Sequence, residues 1–88
     1  MTIYIISYDL TKPERDYKGL YEAIKSFGTW WHYLESTWLI KTNDTPSKIL
    51  ESLKSHIDKD DNLLIIEAGK KHSGWLPKKA WDWIKRNE

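Results

Sequence analysis

Asp9 closes the most apolar strand-like run of the chain, Thr2-Ile3-Tyr4-Ile5-Ile6-Ser7-Tyr8-Asp9-Leu10. A carboxylate at a strand end, beside a sheet with apolar side chains on both faces, can hold a divalent cation or titrate abnormally. The same residue can instead open the following loop, Leu10 to Arg15, through an Asx-turn. Ser36, preceded by Glu35, offers a hydroxyl that can meet a phosphate or bond the backbone of a turn. His32 can serve as a proton shuttle toward the surface that carries Asp9, or pack within a strand. His32, His56 and His72 are too scattered to give a ligand pair on one helix face. His56 falls where a helix ends and can interact with its dipole.

Two charged clusters complete the chemical inventory. Asp58, Asp60 and Asp61 crowd one loop, but the glycine and closing glutamate of a helix-loop-helix calcium site are missing, so they read as a solvated helix terminus. Lys70, Lys71, His72, Lys78, Lys79, Lys85 and Arg86 interleave with Trp75, Trp81 and Trp83. Such a tail can grip a phosphate backbone while indoles stack on bases. Alternatively it is an amphipathic helix that docks Trp81 and Ile84 and leaves its lysines in water.

The elements that must position these groups follow from periodicity. Ile3 to Tyr8 alternates as a strand with apolar residues on both faces. Tyr17, Leu20, Tyr21, Ile24 and Phe27 recur at helical spacing, predicting a helix from Asp16 to Phe27 that Gly28 stops. Thr29–Leu34 and Ser36–Thr42 read as strands joined by a tight reversal, hence antiparallel. Thr45 caps a second helix with Pro46 at its first position and Ile49, Leu50, Leu53 and Ile57 as its inner stripe. Leu63–Ala68 is a fourth two-faced strand. After the Lys70 to Gly74 loop, Pro77 begins a terminal helix running to Arg86.

This order predicts an α+β fold: a ferredoxin-like βαββαβ sandwich with a four-stranded antiparallel sheet, two helices on one face and an extra C-terminal helix. The core spans 1–69 of a single 1–88 domain, and 70–88 supply the terminal loop and helix. The open face, with Ile and Leu from the first and fourth strands, is expected to be a homodimer interface.

Composition narrows the class. A chain of 88 residues buries only about 60 to 65% of its unfolded surface. Its core therefore leans on six Trp, five Tyr and one Phe. With no Cys there is neither a disulfide nor a thiolate metal site. A net charge of +1 gives no overall pull toward nucleic acid, so such binding needs a local patch. No apolar run approaches about eighteen residues, and no charged-then-apolar leader is present, so neither membrane partner nor secretion is expected and a cytoplasmic location fits.

Tyr8-Asp9-Leu10, Gly28-Thr29-Trp30, Glu35-Ser36-Thr37-Trp38, the Ile57 to Leu64 segment and Gly74-Trp75-Leu76 together carry a family resemblance. In order and spacing, over nearly the whole chain, they resemble the SinR-like small proteins. These are similar in turn to the CRISPR-associated endoribonuclease of spacer acquisition and to the VapD ribonucleases. The resemblance implies a metal-dependent endonuclease, acting on RNA as a homodimer, with Asp9 of each subunit at the interface holding Mg2+ or Mn2+. Ser36 matches the serine entering the third strand of those families. The alternative is a non-catalytic dimeric module that binds nucleic acid, through Lys70, Lys71, Lys78 and Lys79, or protein.

The third strand lacks the aromatic signature of the RNA-recognition motif, so Trp30, Trp31 and Trp38 are expected to fill core or interface. The CRISPR-associated family also leads one to expect a short last strand that pairs across the dimer. Gly74 to Ile84 reads instead as loop and helix, with Pro77 interrupting any such strand. The SinR-like reading is therefore preferred to an integrase hub.

Overall fold

The computed structural model describes residues 1–12 and 16–88. Of the loop expected between Lys12 and Asp16, Pro13, Glu14 and Arg15 lie outside the described residues. Among the described residues the fold is α+β, with a four-stranded antiparallel open sheet and three α-helices. Strand β1 (Thr2–Asp9) is followed by α1 (Lys18–Lys25), β2 (Thr29–His32), β3 (Thr37–Thr42), α2 (Pro46–Leu53), β4 (Asn62–Glu67) and α3 (Lys78–Asn87). The strands lie in the order β2-β3-β1-β4.

Helices α1 and α2 are shorter than their apolar stripes suggest, because the chain tightens at their ends, whereas α3 has the expected length. Phe27 and Gly28 belong to a turn after α1, closed by the Gly28 N–H on the Lys25 carbonyl at 3.0 Å. Gly28 takes φ +94°, a conformation that disfavours other residues. The α2 start behaves as its residues dictate: the Thr45 hydroxyl accepts from the Lys48 N–H at 3.2 Å, and Pro46 holds the first position. His56 lies past α2, in a 3-10 turn from Lys54 to His56.

The sheet register decides which side chains share a face. Ile6 pairs with Trp38 and with Ile65, and Trp38 pairs with His32. Opposed residues in antiparallel strands point the same way, so Tyr4, Ile6, Tyr8, Trp30, His32, Trp38 and Ile40 occupy one face. Leu20 and Ile24 of α1 and Ile49 and Leu53 of α2 join Tyr4, Ile6, Tyr8, Trp38 and Ile40 in one buried cluster. Ile3, Ile5, Ser7, Asp9, Trp31, Leu39, Asn62, Leu64 and Ile66 occupy the other.

That second face is not bare, contrary to the expectation from sequence. Ile84 and Asn87 of α3 line a common cleft with Ile3, Ile5, Leu39 and Ile66. The inner stripe of α3 is Ala80, Trp83, Ile84 and Asn87, at helical spacing, with Ala80 and Trp83 buried. It is not the Trp81 and Ile84 pair expected from spacing alone. Trp81 sits on the flank, half-buried, stacked on His72 at 5.9 Å between ring centroids. Because α3 lies toward the Ile3 end of the sheet, the Asp9 end stays open: Leu64 is 59% exposed.

Candidate functional site

Asp9 is the last residue of β1, opposite Asn62 of β4, with Ser7 two residues back on the same face. Its carboxylate is exposed and lines a shallow groove with Ser7, Asn62 and Leu64. Among the described residues it makes no hydrogen bond or ion pair, so the expected Asx-turn is not formed there. The Ser7 and Thr37 hydroxyls, 3.4 Å apart, share a hydrogen bond on the same face. The open end of this face thus presents one free carboxylate, small polar groups and an exposed leucine.

His32 and Ser36 are not brought to this groove. His32 projects from the helix-covered face, its ring stacked on the indole of Trp38 at 3.8 Å between centroids and 10° between planes. Its Nε2 lies 3.1 Å from the Glu35 carbonyl oxygen, to which the ring donates in the Nε2–H tautomer. A proton shuttle from His32 to Asp9 within one subunit is thereby corrected, because the sheet stands between them. Ser36 lies exposed in the β2–β3 turn, where its carbonyl accepts the Tyr8 N–H at 3.1 Å.

Behind His32 lies a polar-aromatic cluster. The Trp38 indole N–H donates to the Tyr8 hydroxyl at 2.9 Å, and that hydroxyl in turn points to the Glu35 carbonyl at 3.4 Å. Burial pushes the Tyr8 phenol up, against the Trp38 hydrogen bond, which lowers it; Tyr21 and Glu35 nearby add to the rise. Tyr21 stacks on Trp38 at 6.2 Å, and the Lys25 ammonium lies 5.4 Å from the Trp30 ring. These contacts fix the β2–β3 turn rather than open a cavity.

The acidic loop divides in a way that its composition does not announce. Asp61 is buried, and its Oδ1 accepts the Thr11 N–H at 2.8 Å and the Thr11 hydroxyl at 3.0 Å. Its Oδ2 accepts the Asp58 N–H at 2.8 Å, and the Tyr17 hydroxyl donates to both oxygens. Burial alone would raise this carboxyl. The Thr11 and Asp58 backbone N–H groups and the two hydroxyls outweigh it and hold the carboxyl at about 2. Asp61 is a structural pin between the loops after β1 and before β4, not part of a solvated terminus. Asp60 is exposed, 3.8 Å from Lys12.

The four lysines expected to meet phosphate separate into two pairs. Lys70 and Lys71 line the cleft beside Asn87 and Glu88, whereas Lys78 and Lys79 start α3 at its other end. At about 1.5 Å per residue these ends lie roughly 13 Å apart along the helix. Lys78 is also 3.4 Å from Asp82, one turn on. Trp75 is fully exposed, at 100%.

Among the described residues, no three His, Cys, Asp or Glu side chains come together as a metal site. Among the described residues, the groove of one subunit offers a divalent ion the Asp9 carboxylate, the Ser7 hydroxyl and the Asn62 amide, fewer oxygens than such an ion takes. The donors of a single chain therefore do not fit a metal. Among the described residues, no helix is long and apolar enough to cross a membrane. No family model matches the chain, and no curated protein matches it.

Proposed function

We propose that the chain is a ferredoxin-like subunit of SinR-like type that acts as a homodimer on RNA as a metal-dependent endonuclease. Asp9 of each subunit would lie at the two-fold axis, where the pair would hold Mg2+ or Mn2+. The observation that carries this reading is the free, exposed Asp9 carboxylate on the part of the second sheet face that α3 leaves uncovered, next to exposed Leu64. The strand order β2-β3-β1-β4 and the packing of α1 and α2 on one face support the fold assignment. Because one chain does not supply enough ligands, the reading requires the second copy. A bound ion would supply Lewis-acid polarisation of a phosphoryl oxygen. The groups this chain contributes are the Asp9 carboxylate and the neighbouring Ser7 and Asn62 side chains.

A second reading has its own observation. His32 faces away from Asp9, so its imidazole cannot move a proton there within one subunit. That favours a non-catalytic dimeric module that binds RNA, DNA or protein on the same surface. A cleavage assay on RNA, single-stranded DNA and duplex DNA, with Mg2+, Mn2+ or a chelator, separates the two. Divalent-dependent RNA cleavage supports the nuclease. Binding without cleavage under every metal condition supports the module.

A further inference from the structure

The cleft between the second sheet face and α3 has a volume of about 550 Å3. This lies within the range of roughly 300 to 1,000 Å3 that small-molecule sites occupy. Its floor is aliphatic: Ile3, Ile5, Leu39 and Ile66 from the sheet, with Ile84 from α3 opposite. The two halves of α3 differ in how they meet the protein. Ala80 and Trp83 are buried at 0% and 7%, whereas Ile84 and Asn87, toward the C-terminal end, border the open space. Protein interiors are close-packed, and a space walled by isoleucines holds water poorly.

Lys70 and Lys71 have no ion pair among the described residues. Glu67 stands opposite Tyr4 in the register, on the other face of the sheet, and the Glu88 carboxylate lies 3.9 Å from His72, an ion pair only when that imidazole is protonated. Among the described residues, no aromatic ring other than that of His72 lines the cleft, and His72 is already stacked on Trp81. A nucleobase, which binds by stacking, therefore finds no platform. An unbranched apolar chain needs none.

We propose that this cleft binds an aliphatic carboxylate, its chain lying over Ile5, Leu39, Ile66 and Ile84 and its head group meeting Lys70 and Lys71. The site is separate from Asp9 and stands whether or not the chain is a nuclease.

The test is calorimetric titration of the full chain with decanoate below its micelle threshold, with decyltrimethylammonium as the charge-reversed probe. Methyl NMR follows both ligands on the isoleucines and Leu39. Saturable binding of decanoate with Kd below about 1 mM is expected, with shifts on the Ile5, Leu39, Ile66 and Ile84 methyls. A variant carrying Lys70→Gln and Lys71→Gln should bind decanoate about 3- to 10-fold more weakly and the cation no more weakly than the parent. Its lysines are exposed, so folding is retained. Equal affinity for the two probes, no saturable binding, or shifts confined to other methyls would overturn the proposal. So would RNA shifting these methyls and losing affinity in the double variant while decanoate does neither, which would assign the rim to phosphate.

Discussion

The Tyr17 hydroxyl donates to both carboxylate oxygens of Asp61, at 3.1 Å from Oδ1 and 3.0 Å from Oδ2. Thr11 and Asp58 fill the remaining acceptor sites, so the start of α1, the loop after β1 and the loop before β4 converge on one carboxylate. The direction of its titration follows. Desolvation works to raise the carboxyl, the donors work to lower it, and the donors win, at about 2 against an ordinary 3.8. A depressed carboxyl contributes stability that is fully present above the unfolded value and is lost as pH falls through the folded one. Stability should therefore decline between about pH 5 and pH 2. Asp61→Asn should be less stable at neutral pH and should flatten that acid limb, as read by urea melts at stepped pH.

Tyr8 and Trp38 give a second prediction. Tyr8→Phe removes the acceptor of a buried indole N–H and should cost about 1 to 3 kcal/mol in denaturant melts. Because burial raises the Tyr8 phenol, spectrophotometric titration of the parent should show one tyrosine ionising above the ordinary range, and the variant should lack it.

The two tryptophans of α3 should separate. Trp83→Ala removes a buried side chain and should cost about 3 to 5 kcal/mol. Trp81→Ala removes a half-buried ring stacked on His72 and should cost about 0.5 to 1.5 kcal/mol. Equal losses would mean that α3 docks on a different face.

How much of this was legible in the sequence depends on the range of each interaction. Leu20 and Ile24, and Ile49 and Leu53, carry their own period, so α1 and α2 and their buried sides could be read locally. Thr45 and Pro46 likewise announced the start of α2. The α3 stripe was misread because Trp81, Trp83 and Ile84 are all large and apolar, and only the partner surface decides which of them turns inward. The face of His32 depends on a register that joins it through Trp38 to Ile6, two strands away. No spacing near His32 encodes that. Asp61 was lost among three neighbouring acids, since its donors Thr11 and Tyr17 lie 50 and 44 residues away. Asp9 was legible as a strand-end carboxylate. That α3 would leave its end of the sheet open was not.

The chain has no Cys, so Asp9→Cys introduces a single thiol. If the two copies meet at this position, a short thiol-to-thiol cross-linker should convert the variant to covalent dimer in good yield at micromolar protein. A cysteine placed at exposed Ser47, on α2, should give little.

The central measurement is RNA cleavage by Asp9→Asn beside the parent, at equal dimer content by light scattering and at matched Mg2+ or Mn2+. The substitution keeps the side chain's size and removes its charge. The paired-carboxylate reading predicts a fall of at least about 100-fold, with the dimer and the melting curve unchanged. Cleavage undiminished in Asp9→Asn, or a parent that is monomeric while cleaving, would contradict it.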